Sequence, residues 1–205
     1  MLHTATVEPG TLGLLNRLMA EPDLAPFNLV GGTALSLRIG HRLSYDLDLF
    51  GFPDALNIPL ISSLLVDYGH AEVQTASKNI FSVWIEGIKV DFVRYQYGLL
   101  RPVSILEGIR LVSLEDIAAM KLAAVAGRGR KRDFADIYFL LDHFSLPAMI
   151  DLYQEKYPDG NRFLLLKSLD YFEDAEEDND PVFLQPADWS SIKKRITREV
   201  HQFFQ

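Results

Sequence analysis

The chain has 205 residues, 48% hydrophobic and 23% charged, enough for one large globular domain or two small ones sharing a sizeable core. The absence of cysteine excludes a disulfide framework, a thiolate zinc site and a cysteine nucleophile. A formal charge of -8 argues against a broad basic surface for nucleic acid but leaves room for a local basic patch. No apolar run approaches the roughly 18 residues of a membrane helix, and the first residues lack the basic and apolar regions of a signal peptide. The expectation is a cytoplasmic protein with no membrane partner.

Residues 11–20 carry leucines at helical spacing, and Pro22 and Pro26 end that helix. The apolar run 27–30 predicts a strand, Gly31-Gly32 a turn, and 33–39 a helix closed by Gly40. Thr33 stands where it can cap that helix or meet a phosphate. A glycine pair before a helix lets a backbone approach a phosphate, and the helix amino end favours its charge.

Arg42 and Ser44 precede a predicted strand at 45–50, Tyr45-Asp46-Leu47-Asp48-Leu49-Phe50. Strand side chains alternate, so Asp46, Asp48 and Phe50 share one face. Two aspartates on one strand face repel each other unless a cation lies between them. Oxygen-only ligands of this kind suit magnesium. A phosphate cradle followed by a carboxylate pair reads as a site for a metal-bound nucleoside triphosphate. The alternative is a plain turn, a helix and an exposed edge strand.

Residues 58–68 predict an amphipathic helix stopped by Gly69, and three strands follow at 71–76, 80–86 and 88–95. Glu86-Gly87 is a two-residue hairpin turn. Asp91 interrupts the last of these strands between Val90 and Phe92, on one face with Lys89 and Val93. If that strand lies beside 45–50, three carboxylates converge; otherwise Lys89 and Asp91 are solvated. Residues 102–109 read as short and extended.

From Ser113 the pattern turns helical, and the domain boundary falls near residue 110, dividing the chain into 1–110 and 111–205. Ser113 to Asp116 resembles a capping box. Leu114, Ile117, Ala118, Lys121, Ala124 and Val125 form one stripe. Lys121 on that stripe is either a lysine snorkelling at its rim or a cation held toward phosphate. Arg128, Arg130, Lys131 and Arg132 form a basic turn that can meet an RNA backbone or triphosphate oxygens, or simply be solvated. Asp133 and Asp136 suit the first turn of the next helix. Helices follow at 147–157, 162–172 and 189–204. The acidic run 173–180 lacks calcium-loop spacing and reads as a solvated loop, or a contact for a basic partner. The five histidines show no metal-ligand spacing.

The segments GGTALSLRIGHRLSYDLDLF (31–50), VDF (90–92) and LEDIAAMKLAAVAGRGRKRDFADIYFLL (114–141) resemble the AbiEii/AbiGii toxin family of the DNA polymerase β-like nucleotidyltransferase superfamily. The resemblance implies an α/β fold: a small mixed β-sheet core followed by a helical domain that closes a cleft. It implies that Gly31, Gly32 and Thr33 hold the triphosphate, with Arg42 and Ser44 beside it. Asp46, Asp48 and Asp91 are similar to the family's metal carboxylates, Lys121 to its helical-domain lysine near the nucleotide, and Asp133 to the acid of its last motif. The implied activity is two-metal, magnesium-dependent transfer of a nucleoside monophosphate from a triphosphate to RNA or tRNA, by the toxin of a type IV toxin–antitoxin pair with a repressor-like antitoxin. Two alternatives stay open: a small-molecule or protein hydroxyl as acceptor, and a nucleotide-binding or partner-binding protein without turnover.

Overall fold

Strand β1 (Phe27–Val30) is buried along its whole length because it is flanked on both edges within the sheet. The computed structural model describes residues 1–51 and 55–205. Contact clustering divides it into two units: Met1–Gly98 with Pro102–Val112, and Leu99–Arg101 with Ser113–Gln205.

In the first unit, β1 is followed by helix α2 (Gly31–Ile39) and strand β2 (Leu47–Gly51), after an earlier helix α1 (Pro9–Ala20). Helix α3 (Ile58–Leu65) precedes strands β3 (Ala71–Ala76), β4 (Ile80–Ile85) and β5 (Ile88–Arg94). Strands β6 (Ser104–Leu106) and β7 (Ile109–Leu111) complete a mixed sheet of order β3-β4-β5-β2-β1-β7-β6. The expected α/β class with a small mixed sheet is what the chain adopts. Strands β1 and β2 pair antiparallel, β2 and β5 parallel, and β1 and β7 parallel.

Local chemistry accounts for these elements. Glu86 and Gly87 have φ of 53° and 81°, the paired left-handed geometry of a tight hairpin turn between β4 and β5. Glu107 and Gly108 repeat it at 52° and 82°, so the segment expected to be merely extended is a hairpin, β6–β7. The apolar alternation of β2 and β5 buries Leu47, Leu49, Val90 and Phe92 on one face. Phe92 meets the rings of Phe27 and Phe81 there, with centroids 5.4 and 6.3 Å away.

Two boundaries beside the candidate site differ from expectation. Helix α2 begins at Gly31 rather than Thr33, because Gly31 takes a left-handed φ of 69° that turns the chain from β1 directly into the helix. Strand β2 begins at Leu47, so Asp46 lies just ahead of the strand instead of within it.

The second unit holds α4 (Leu114–Gly127), α5 (Lys131–Leu140), α6 (Leu146–Lys156), α7 (Arg162–Leu169), the short α8 (Glu173–Glu176) and α9 (Trp189–Phe203). Ser113 caps α4 by accepting from the Asp116 amide. Helix α4 is the centre of this unit: α5, α6 and α7 pack on it, and Ala118 and Ala119 let them approach closely. Asp116 is fully buried, paired with Lys156 at 2.7 Å, and accepts from the amides of Leu100 and Arg101. Those bonds account for the three residues Leu99–Arg101 joining the helical unit.

Candidate active site

The site is built where α2 starts. Val30 occupies the cap position of α2 and has no side-chain acceptor to offer, so the first-turn amides are left for an anion. Both glycines are sterically required. A Cβ on Gly31 would run into the Asp48 carboxylate, and one on Gly32 into the Arg42 guanidinium. The α2 amino end therefore has an acid on one side and a buried arginine on the other. Arg42 also donates to the Leu43 carbonyl at 2.8 Å.

Thr33 departs from the capping role expected of it. Its hydroxyl is buried and donates to the Asp46 carbonyl; Ser44 Oγ lies 2.8 Å away and is left to donate to it. One hydroxyl has one hydrogen. Spent on Asp46, it does not cap the helix, whose cap position is Val30. Thr33 and Ser44 instead tie α2 to the segment that carries the acids.

Asp48 lies directly opposite Asp91 in the parallel β2–β5 register. Both are half-buried, on the face away from Leu49 and Phe92. Asp91 accepts from Ser82 Oγ and, at 2.9 Å, from Lys89 Nζ. Lys89 and Ser82 are thus parts of the site to which the sequence reading assigned no role. The hairpin turn contains the missing signal: counting outward from Glu86-Gly87 sets Ser82 opposite Asp91. Asp46 precedes the strand and is half-buried. Among the described residues no group of three or more histidines and acids could hold a metal ion as it stands. Carboxylate oxygens on neighbouring strands are nonetheless the donor chemistry that magnesium takes.

The remaining candidate residues lie in the helical unit, and there the structure corrects the sequence reading. Lys121 is not a lysine snorkelling at the rim of its stripe. It is buried and bridges Asp133 at 3.0 Å and Asp136 at 2.6 Å. Asp133 does lie in the first turn of α5, and both it and Asp136 are fully buried. Burial alone would raise the Asp133 pKa, but Lys121 and Arg128 outweigh it and hold that carboxyl below its ordinary range. Arg128 completes the cluster through Nε, 2.9 Å from Asp133.

The acidic run is not a solvated loop either, because it lies on the basic turn of the same chain. Arg130 meets Asp178 at 2.6 Å. Lys131 donates its amide to Asp178 and its ammonium to Asp180, both at 3.0 Å, and its ammonium lies over the Trp189 ring. Burial opposes ionisation of Asp178, but the Lys131 amide and Arg130 prevail and lower its pKa. Glu176 receives Lys193 and the Trp189 indole. Arg132 is exposed and lines a cavity of about 250 Å³ with Arg130, Asp178 and Asn179.

The sequence profile described as nucleotidyl transferase AbiEii toxin, type IV TA system, matches residues 13–204. An uncharacterized protein of Aquifex aeolicus (strain VF5) is 35% identical over 186 residues, spanning 87% of this chain and 88% of its own. Among solved structures, JHP933 from Helicobacter pylori superposes with a TM-score of 0.57 at 21% identity, over 96% of this chain and 92% of that one. MenT4, a nucleotidyltransferase toxin from Mycobacterium tuberculosis H37Rv, does so with 0.57 at 18% identity, over 97% and 87%. At such identities the two structures speak for the fold alone.

Proposed function

The chain belongs to the nucleotidyl transferase AbiEii toxin family of type IV toxin–antitoxin systems, and from that premise we propose that it transfers a nucleoside monophosphate from a triphosphate to an acceptor hydroxyl in a magnesium-dependent reaction. The observation that carries the reading is the Asp48–Asp91 pair set in register beside the glycine start of α2. The triphosphate lies against Gly31 and Gly32, where the α2 amides and Arg42 offset its charge. The acceptor oxygen bonds to the α-phosphorus, the bond from that phosphorus to the α–β bridging oxygen breaks, and pyrophosphate leaves. A carboxylate of the pair takes the hydroxyl proton. Magnesium, held by Asp48 and Asp91 with Asp46 alongside, would supply charge neutralisation and alignment of the two oxygens. Lys89 holds Asp91 at 2.9 Å and would have to yield it to the ion. Lys121, Asp133 and Arg128 serve this chemistry by fixing α4 against α5.

We assign RNA, tRNA included, as the acceptor, an antitoxin as the regulatory partner, and the cytoplasm as the location. No helix among the described residues is long and apolar enough to cross a membrane. The basic turn supports the RNA acceptor through its density of cations. One observation favours a second reading, a small-molecule or protein hydroxyl: Arg130 and Lys131 already have carboxylate partners in Asp178 and Asp180. One experiment separates the two. The protein is incubated with each α-labelled nucleoside triphosphate, magnesium and total cellular RNA, with Asp48→Asn as control. Label on RNA supports the first reading and label on protein or a small molecule the second. No label with any triphosphate, acceptor or metal overturns transfer itself.

A further inference from the structure

Three aromatic side chains continue the carboxylate face of the sheet. Residues 48 and 50 of β2 lie on one face, since Leu47 and Leu49 between them are buried on the other. The ladder extends past β5 through the Tyr95 amide, which donates to the Gly51 carbonyl at 2.7 Å. Phe50 and Tyr95 then meet, with ring centroids 5.0 Å apart and planes inclined by 43°. Tyr95 in turn meets Tyr97 at 5.6 Å and 62°. All three rings are half-buried. Phe27, Phe81 and Phe92 are buried on the opposite face. Two strand residues advance about 7 Å, so the Phe50 ring begins roughly a nucleoside's length from Asp48.

A ligand for this face must combine negative charge beside α2 with a flat ring system further along. From this juxtaposition we propose that Phe50, Tyr95 and Tyr97 form a stacking platform for a nucleobase. It rests on the nucleotide-site reading above and adds the subsite that holds the base. Every base has a π-face, so such a platform binds bases with little regard to identity. The edges of the base must be read by other groups. The base belongs either to the triphosphate or to the acceptor, and the chemistry of recognition is the same for both.

Binding measurements by calorimetry test it, with no turnover required. The probes are the magnesium complexes of ATP, GTP, CTP and UTP, magnesium tripolyphosphate, and a short single-stranded oligonucleotide beside its abasic counterpart. The variants are Tyr95→Leu, Tyr95→Phe and Phe50→Leu, each checked for an unchanged circular dichroism spectrum and melting temperature. If the platform holds the triphosphate's base, Tyr95→Leu weakens all four nucleotides by about 5- to 100-fold. Tripolyphosphate is then unaffected and Tyr95→Phe restores binding. If it holds an acceptor base, Tyr95→Leu weakens the oligonucleotide but neither its abasic counterpart nor the nucleotides. Unchanged binding of all probes overturns the platform while leaving the nucleotide site intact. Equal loss of nucleotide and tripolyphosphate also overturns it, since the rings then only support the phosphate site. A wild-type protein that binds neither nucleotide nor tripolyphosphate overturns the underlying reading together with the platform.

Discussion

Replacing Lys121 with methionine asks whether this lysine holds the helical unit together or reaches a nucleotide. Its side chain is 6% exposed, and both aspartates it bridges are 0% exposed. The substitution keeps the apolar stem and removes the charge. Asp133 retains Arg128, whereas Asp136 loses a cation 2.6 Å away. Removing one member of a buried ion pair in this way costs about 3–5 kcal/mol. For a chain of this size each kcal/mol lowers the melting temperature by about 2–4 °C, so a fall of about 6–20 °C is expected.

The pH dependence carries a second signature. In the wild type the Asp133 pKa is depressed. Its contribution is therefore complete above about pH 5 and is lost as pH falls below about 4, through the folded-state value. Thermal melts at pH 3, 4, 5 and 7.5 measure both effects, and Lys121→Met with Asp136→Asn should recover part of the loss. A change under about 2 °C together with a large loss of triphosphate affinity would refute the buried-cluster account and give the lysine to the nucleotide.

Gly31→Ala should abolish nucleotide binding and transfer, since the residue sits at φ 69° and its Cβ meets Asp48; the left-handed backbone alone costs about 1–2 kcal/mol. Gly13→Ala, in α1 with open space around it, is the matched control and should stabilise by about 0.5–1 kcal/mol. Full activity in Gly31→Ala would remove the glycine cradle from the site. Asp178→Asn combined with Asp180→Asn releases Arg130 and Lys131 from their carboxylate partners, Lys131 keeping the Glu176 carbonyl and the Trp189 ring. If an RNA backbone meets this turn, its affinity rises and the salt dependence steepens by about one unit of slope per freed cation. Filter binding across a salt series that shows neither change takes the turn out of acceptor recognition.

How much of this was legible depended on how local the determining interactions are. The β4–β5 hairpin was readable because a two-residue turn with positive φ has few possible sequences, and Glu86-Gly87 is one of them. The same dipeptide at Glu107-Gly108 went unread because strands of three residues show no alternation to flank it. Gly40 was readable as the α2 terminus, and it does close the helix with a φ of 70°. Thr33 misled because a hydroxyl residue at a helix start usually caps; here the cap position belongs to Val30, one glycine pair earlier.

The residues of the site were visible in the sequence as violations of local preference: glycines before a helix, and acids in apolar strands. Sequence alone also determined the α/β class, since period-2 and period-3.6 patterns are properties of the chain taken a few residues at a time. Only the tertiary structure decided that β2 and β5 run side by side with Asp48 against Asp91, because strand order depends on which faces are buried across the whole sheet. It also decided that the cations of the basic turn are matched by acids nearly fifty residues later, Arg130 by Asp178 and Lys131 by Asp180. A charge run shows its sign in the sequence. Whether water, a ligand or the chain itself answers that charge is settled by what folding brings within about 4 Å.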